Sequence, residues 1–161
     1  MLDVAERFVA ALDRANDRLI ADLRAVPEES RAVSPGGVAR SPYSVALECG
    51  IINTRIAAAL EGKSLPATPA HGEYDTMLTH LPTFEAVAEF VTHETLVLKF
   101  AVRKIDPTRW GETLEIFPSR PAMTRFDAVL LALNHMSYHD GQLNFVHLLS
   151  GDSKIHWQAG C

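Results

Sequence analysis

Apolar residues recur at intervals of three and four through most of this chain. The pattern resolves into four long helices, with no convincing strand and no internal repeat. The first is predicted over Leu2–Ala25, with Val4, Phe8, Leu12, Ala15, Leu19 and Leu23 on one stripe; Pro27 and the loop Ser34-Pro-Gly-Gly37 end it. The second opens at Ser41-Pro42, a capping hydroxyl followed by proline at the first helical position, and runs to Glu61-Gly62. Its apolar face carries Val45, Ile52 and Ala59.

A connector from Ser64 to Gly72 and one or two turns over Tyr74–His80 precede the third helix. That helix is predicted from Thr83 to Lys104, with Val87, Phe90, Val91, Leu98 and Ala101 on its face, and Asp106-Pro107 breaks it. Thr108–Ala122 holds Pro118 and Pro121 and reads as a crossing loop, with a little extended structure at Leu114–Phe117. Thr124-Arg-Phe-Asp127 matches a capping box and opens the last helix, which Gly151 is placed to end. Ile155 and Trp157 of the tail are expected to fold back. The fold class is therefore all-α, a single domain over 1–161 built as a four-helix bundle with long crossover loops. Periodicity does not give the order of the helices.

The last helix carries the chemistry. Ala128, Ala132, His135, His139, Gln142, Val146 and Leu149 follow steps of 4, 3, 4, 3, 4 and 3, the repeat of a helix seam packed on partner helices. Two imidazoles and an amide thus stand where the repeat asks for aliphatic groups. Burying such groups unpaired costs roughly 1–3 kcal/mol each. Histidines at i and i+4 lie on one face about 6 Å apart and can converge on one cation. The bland alternative is a pair of core histidines hydrogen-bonded to neighbouring helices, and spacing alone divides the two evenly. His135-Met-Ser-Tyr-His139 lacks the glutamate of His-Glu-x-x-His, which argues against a thermolysin-type peptidase.

The best third ligand is Glu48, a carboxylate on the Val45/Ile52/Ala59 stripe; its alternative is an ion pair, with Arg55 as one candidate partner. A carboxylate and two histidines suit Zn²⁺, Ni²⁺ or Fe²⁺ with positions left open. His71, His80, His93, His147 and His156 read as structural or solvated, and Cys49 as a small buried hydrophobe. Asn53 and Tyr138 are possible pocket groups. Phe126, Val129, Leu130, Leu133 and Met136 form a second apolar face on the last helix, a candidate dimer surface.

Composition narrows the setting. The 161 residues carry a net charge of −5 and no basic cluster long enough for a phosphate stripe, which argues against nucleic acid. No apolar run reaches membrane-span length and the N-terminus lacks signal-peptide character, so no membrane partner and a cytoplasmic location are expected. Two cysteines, one of them the terminal Cys161, argue against a disulfide framework.

His135-Met-Ser-Tyr-His139-Asp-Gly-Gln142-Leu-Asn-Phe145, continuing to Gly151-Asp152 and His156-Trp157, resembles the final helix of the DinB-like (YfiT-like) superfamily of metal-dependent four-helix-bundle proteins. Ser41-Pro-Tyr-Ser-Val-Ala-Leu-Glu48-Cys-Gly-Ile-Ile-Asn53 is similar to that family's second helix, and helix number and length agree over nearly the whole chain. The resemblance implies a metal site in which Glu48 stands where the family usually places a histidine, alongside His135 and His139. It implies a divalent metal, Zn or Ni, and a low-molecular-weight thiol such as bacillithiol or mycothiol as co-substrate. The expected function is a metal-dependent S-transferase or a hydrolase acting on a small molecule, in a homodimer. The alternative is a non-catalytic metal-binding or stress-associated bundle dimer. Without a separate general base in the sequence, no catalytic residue stands apart from the metal site.

Overall fold

The computed structural model describes residues 3–70 and 72–156 and is mostly helical. Its elements in chain order are α1 (Val4–Ala25), α2 (Glu28–Arg31), α3 (Pro42–Leu60), α4 (Glu73–Leu78), α5 (Phe84–Arg103), β1 (Thr113–Leu114), β2 (Met123–Thr124) and α6 (Arg125–Leu149). None of the described helices is long and apolar enough to cross a membrane.

Each long helix begins on a side chain that accepts from its first turn. Asp3 accepts from Ala5 N at 2.9 Å, Ser41 from Ser44 N at 3.2 Å and Thr83 from Ala86 N at 3.2 Å. At the start of α6 the predicted box is present: Asp127 N donates to Thr124 Oγ1 at 3.1 Å, and the hydroxyl donates to Asp127 Oδ2 at 2.6 Å. Gly151 follows the end of α6 with φ 82°, a backbone state that costs a non-glycine residue energy.

α1 and α3 each pack against both α5 and α6. The connections 26–41 and 104–124 therefore carry the chain across the molecule. The second crossing is tied down by the β1–β2 pair, with Thr113 opposite Thr124 and Leu114 opposite Met123. It is also held by Arg55 Nε, which donates to Ile116 O at 2.7 Å. The extended piece thus lies just before the predicted Leu114–Phe117 and overlaps it only at Leu114.

Leu12, Leu19 and Leu23 of α1, Ile56 of α3, Leu98 of α5 and Met136 and Leu143 of α6 fill the shared core. Each such side chain contributes on the order of 1.5–3 kcal/mol through burial. α3 and α5 approach closely at Gly50, where a Cβ would stand 2.6 Å from Cε1 of Phe90.

The buried face of α6 is wider than the seam predicted for it. Val129, Met136, Asp140, Leu143 and His147 are buried beside Ala128, Ala132, His139 and Val146, whereas Leu149 is exposed. The reason is that α6 serves two neighbours, α1 and α3, rather than one. This corrects the candidate dimer face: Val129 and Met136 belong to the core, while Phe126 lies exposed against the Phe8 and Trp110 rings. Ile155 of the tail is also exposed, contrary to a fold-back at that residue, and Trp157 and Cys161 lie outside the described residues.

Candidate metal centre

α3 is apolar on nearly every side, and sixteen of its nineteen residues are buried. Glu48 is one of the exceptions, with its side chain 20% exposed at the edge facing α6. Its Oε2 lies 3.0 Å from Nε2 of His139. That nitrogen is in turn 3.1 Å from Nε2 of His135, one turn earlier on α6. The three predicted ligands are therefore brought together from two helices.

Proton accounting shows why the arrangement suits a cation. Nδ1 of His139 lies 2.8 Å from Oε1 of Gln142, so a ring N–H donates to that carbonyl oxygen. In neutral His139 the remaining nitrogen, Nε2, then carries a lone pair. It points at a carboxylate oxygen, which brings no donor, and at His135 Nε2, which donates to it only when His135 carries its hydrogen there; the buried His135 Nδ1 has no partner in either tautomer. Donor atoms at 2.0–2.1 Å from a tetrahedral centre stand about 3.3 Å apart. Separations of 3.0 and 3.1 Å are within a few tenths of that edge. Two edges of such a site, both meeting at His139 Nε2, thus have lengths a divalent ion could span.

Protonation agrees with the ligand forms. Burial and the neighbouring His139 ring hold His135 down at about 4, against the pull of Glu48, which leaves it a neutral imidazole at neutral pH. Burial works to raise the Glu48 carboxyl, but a hydrogen bond from His139, made only while Nε2 carries a proton and so is not a ligand, and another from Arg40 outweigh it and hold the group at about 2. Arg40 pairs with the same Glu48 oxygen that faces His139. The ion-pair partner of Glu48 is thus Arg40 and not Arg55, whose guanidinium is committed to the carbonyls of Ile116 and Pro66.

Cys49 belongs to this cluster as well. A buried Cys49/His135/His139 group has donor atoms within 4.8 Å of one another and could hold a metal ion. Burial, and then the charge of Glu48, push the thiol well up, so in the metal-free protein it stays protonated. Reading Cys49 as a small buried hydrophobe captured its burial and missed its neighbours. The available signal was the apolar character of α3 on all sides, which lets adjacent residues 48 and 49 both face α6.

The other expected groups lie elsewhere. Asn53 is fully buried and donates to Thr95 Oγ1 at 3.0 Å, so it braces α3 against α5. Tyr138 is exposed, with its ring 5.1 Å from that of His139, at the mouth of a cleft. His93 is exposed beside Glu94, and His80 is also exposed. His147 is a buried structural residue whose Nε2 donates to Asp22 O at 2.7 Å, and His156 contacts Asp152 at 2.9 Å. His71 lies outside the described residues.

No protein-family model matches this chain, and no curated protein matches it. Among solved structures, the crystal structure of a "conserved protein of locus from Enterococcus faecalis" superposes with a TM-score of 0.77. The superposition covers 94% of this chain and 100% of that one, at 13% sequence identity. The similarity is one of fold.

Proposed function

We propose that this chain is a metal-dependent enzyme built on a DinB-like four-helix bundle, acting on a small molecule either as a thiol-dependent S-transferase or as a hydrolase. The observation that carries the reading is that Glu48 Oε2 and His135 Nε2 both stand at Nε2 of His139, at 3.0 and 3.1 Å, across the α3–α6 contact. A zinc or nickel ion held by three such groups supplies a Lewis acid that lowers the pKa of a thiol or of water. Glu48 and the two imidazoles would bind it, Gln142 fixes the ring of His139, and Arg40 offsets the carboxylate charge. The surrounding α3 side chains limit the access of water.

The test is thioether formation between a low-molecular-weight thiol and 1-chloro-2,4-dinitrobenzene by zinc-loaded protein, run beside hydrolysis of p-nitrophenyl acetate. The reading expects one of the two to proceed and to fall at least 100-fold in His139→Ala.

A second reading is a non-catalytic metal-binding dimer, and Cys49 is the observation that favours it. Cys49, His135 and His139 bring a thiol and two imidazoles within 4.8 Å of one another, the donor types of structural zinc sites. Metal bound without either activity supports this reading. Phe126, Leu130 and Leu133 keep part of the expected dimer face at least partly open. Light scattering near twice 17.7 kDa is the expected result for the dimer.

A further inference from the structure

Beside the metal centre lies a cleft of about 670 Å³, within the size range of small-molecule sites. Its walls are largely apolar: Val38 and Val45 on one side, Tyr138 and Phe145 on the other. Two polar residues line it that each touch a member of the donor cluster. Gln142 holds His139, and Arg40 pairs with Glu48. The cleft and the candidate metal centre therefore share a wall.

Among the described lining residues Arg40 is the one that carries charge. Its Nη2 is committed to Glu48 and its guanidinium lies 5.3 Å from the centroid of the Tyr74 ring, whose hydroxyl it also meets; with five N–H donors it keeps capacity beyond these two contacts. Its side chain keeps 19% exposure. A dication on Glu48 changes the local balance, because one carboxylate cannot neutralise both the ion and the guanidinium. The shared wall then carries net positive charge facing an apolar space.

We propose that this cleft binds a small amphipathic anion, a carboxylate on an apolar chain or ring, with the carboxylate at Arg40 and the apolar body between Val45 and Phe145. This rests on the metal-dependent reading and supplies its substrate class. Charge-assisted pairing of a planar carboxylate with arginine fixes the orientation, and burial of the apolar body supplies most of the affinity.

The experiment is isothermal titration of zinc-loaded and of chelator-treated protein with decanoate and with decanol. Bound metal is quantified independently in each sample. The expected result is decanoate binding at least tenfold tighter than decanol in the zinc-loaded protein. Arg40→Gln should erase that preference while leaving decanol binding intact. Phe145→Ser, at an exposed position with little folding cost, should weaken both ligands. Equal binding of the two ligands, a preference that survives Arg40→Gln, or no binding to protein that does hold zinc overturns the inference and leaves the metal reading standing. Protein that holds no zinc but still prefers decanoate through Arg40 preserves the cleft assignment and overturns the metal reading instead.

Discussion

Nδ1 of His139 lies 2.8 Å from Oε1 of Gln142, the next turn of the same helix, and this contact sets which nitrogen of the ring faces Glu48 and His135. A ligating imidazole depends on such a partner for its tautomer and orientation. Replacing Gln142 by leucine keeps the size of the side chain and removes the acceptor. Zinc affinity measured by competition with a chromophoric chelator is expected to fall about 10- to 100-fold, with thermal stability of the metal-free protein little changed. Unaltered affinity would separate Gln142 from the site.

Cys49 makes a spectroscopic prediction. In cobalt-substituted protein a near-ultraviolet thiolate-to-metal band is expected of the non-catalytic reading, in which the Cys49 sulfur close to both ring nitrogens joins the donors, and no such band is expected of the enzyme reading. Cys49→Ser should abolish the band while the protein still takes up cobalt through Glu48, His135 and His139. A spectrum identical in the two proteins excludes sulfur from the coordination sphere.

His135 and Glu48 make the metal-free protein sensitive to acidification. His135 and Glu48 both have folded pKa values below their ordinary ones, so each contributes stability that is full above the unfolded pKa and is lost as pH falls through the folded one. For His135 the window runs from 6.5 to about 4, and for Glu48 from 4.5 to about 2. Asp140 works in the opposite direction over the same range, so the check is a difference: between pH 7 and pH 4 the Tm followed by circular dichroism should fall more, or rise less, in the native protein than in His135→Gln. Parallel curves for the two proteins would contradict the assignment.

Asp140 has the opposite sign. Burial, then a hydrogen bond and the like charge of Asp22 on α1, raise its pKa well above the ordinary carboxylate value, against the pull of Arg18. Its contribution is full below the unfolded pKa near 3.8 and is lost as pH rises through the elevated folded value. Asp140→Asn is expected to stabilise the fold at pH 8 by on the order of 1–2 kcal/mol, and much less at pH 4. Urea unfolding at the two pH values checks this.

The helices and their ends were legible because capping residues and 3–4 spacing are local signals; Ser41-Pro42 and the Thr124–Asp127 box each mark a helix start correctly. Glu48, His135 and His139 were legible because each is a polar group on an apolar stripe. What sequence did not show is set by the second neighbour of each helix. α6 packs on both α1 and α3, so His147 and Asp140 are buried although they lie off the seam that carries His139. α2 and the β1–β2 pair are too short for periodicity to register. Arg40 precedes α3 in a loop, and no spacing rule connects a loop cation to a helical carboxylate eight residues later.

Elemental analysis of protein purified without a histidine tag tests the central claim most directly. The account predicts about one zinc or nickel ion per chain, lost in His139→Ala and in Glu48→Ala. Native protein devoid of metal, with a Tm that does not move on addition of Zn²⁺ or Ni²⁺, would contradict it.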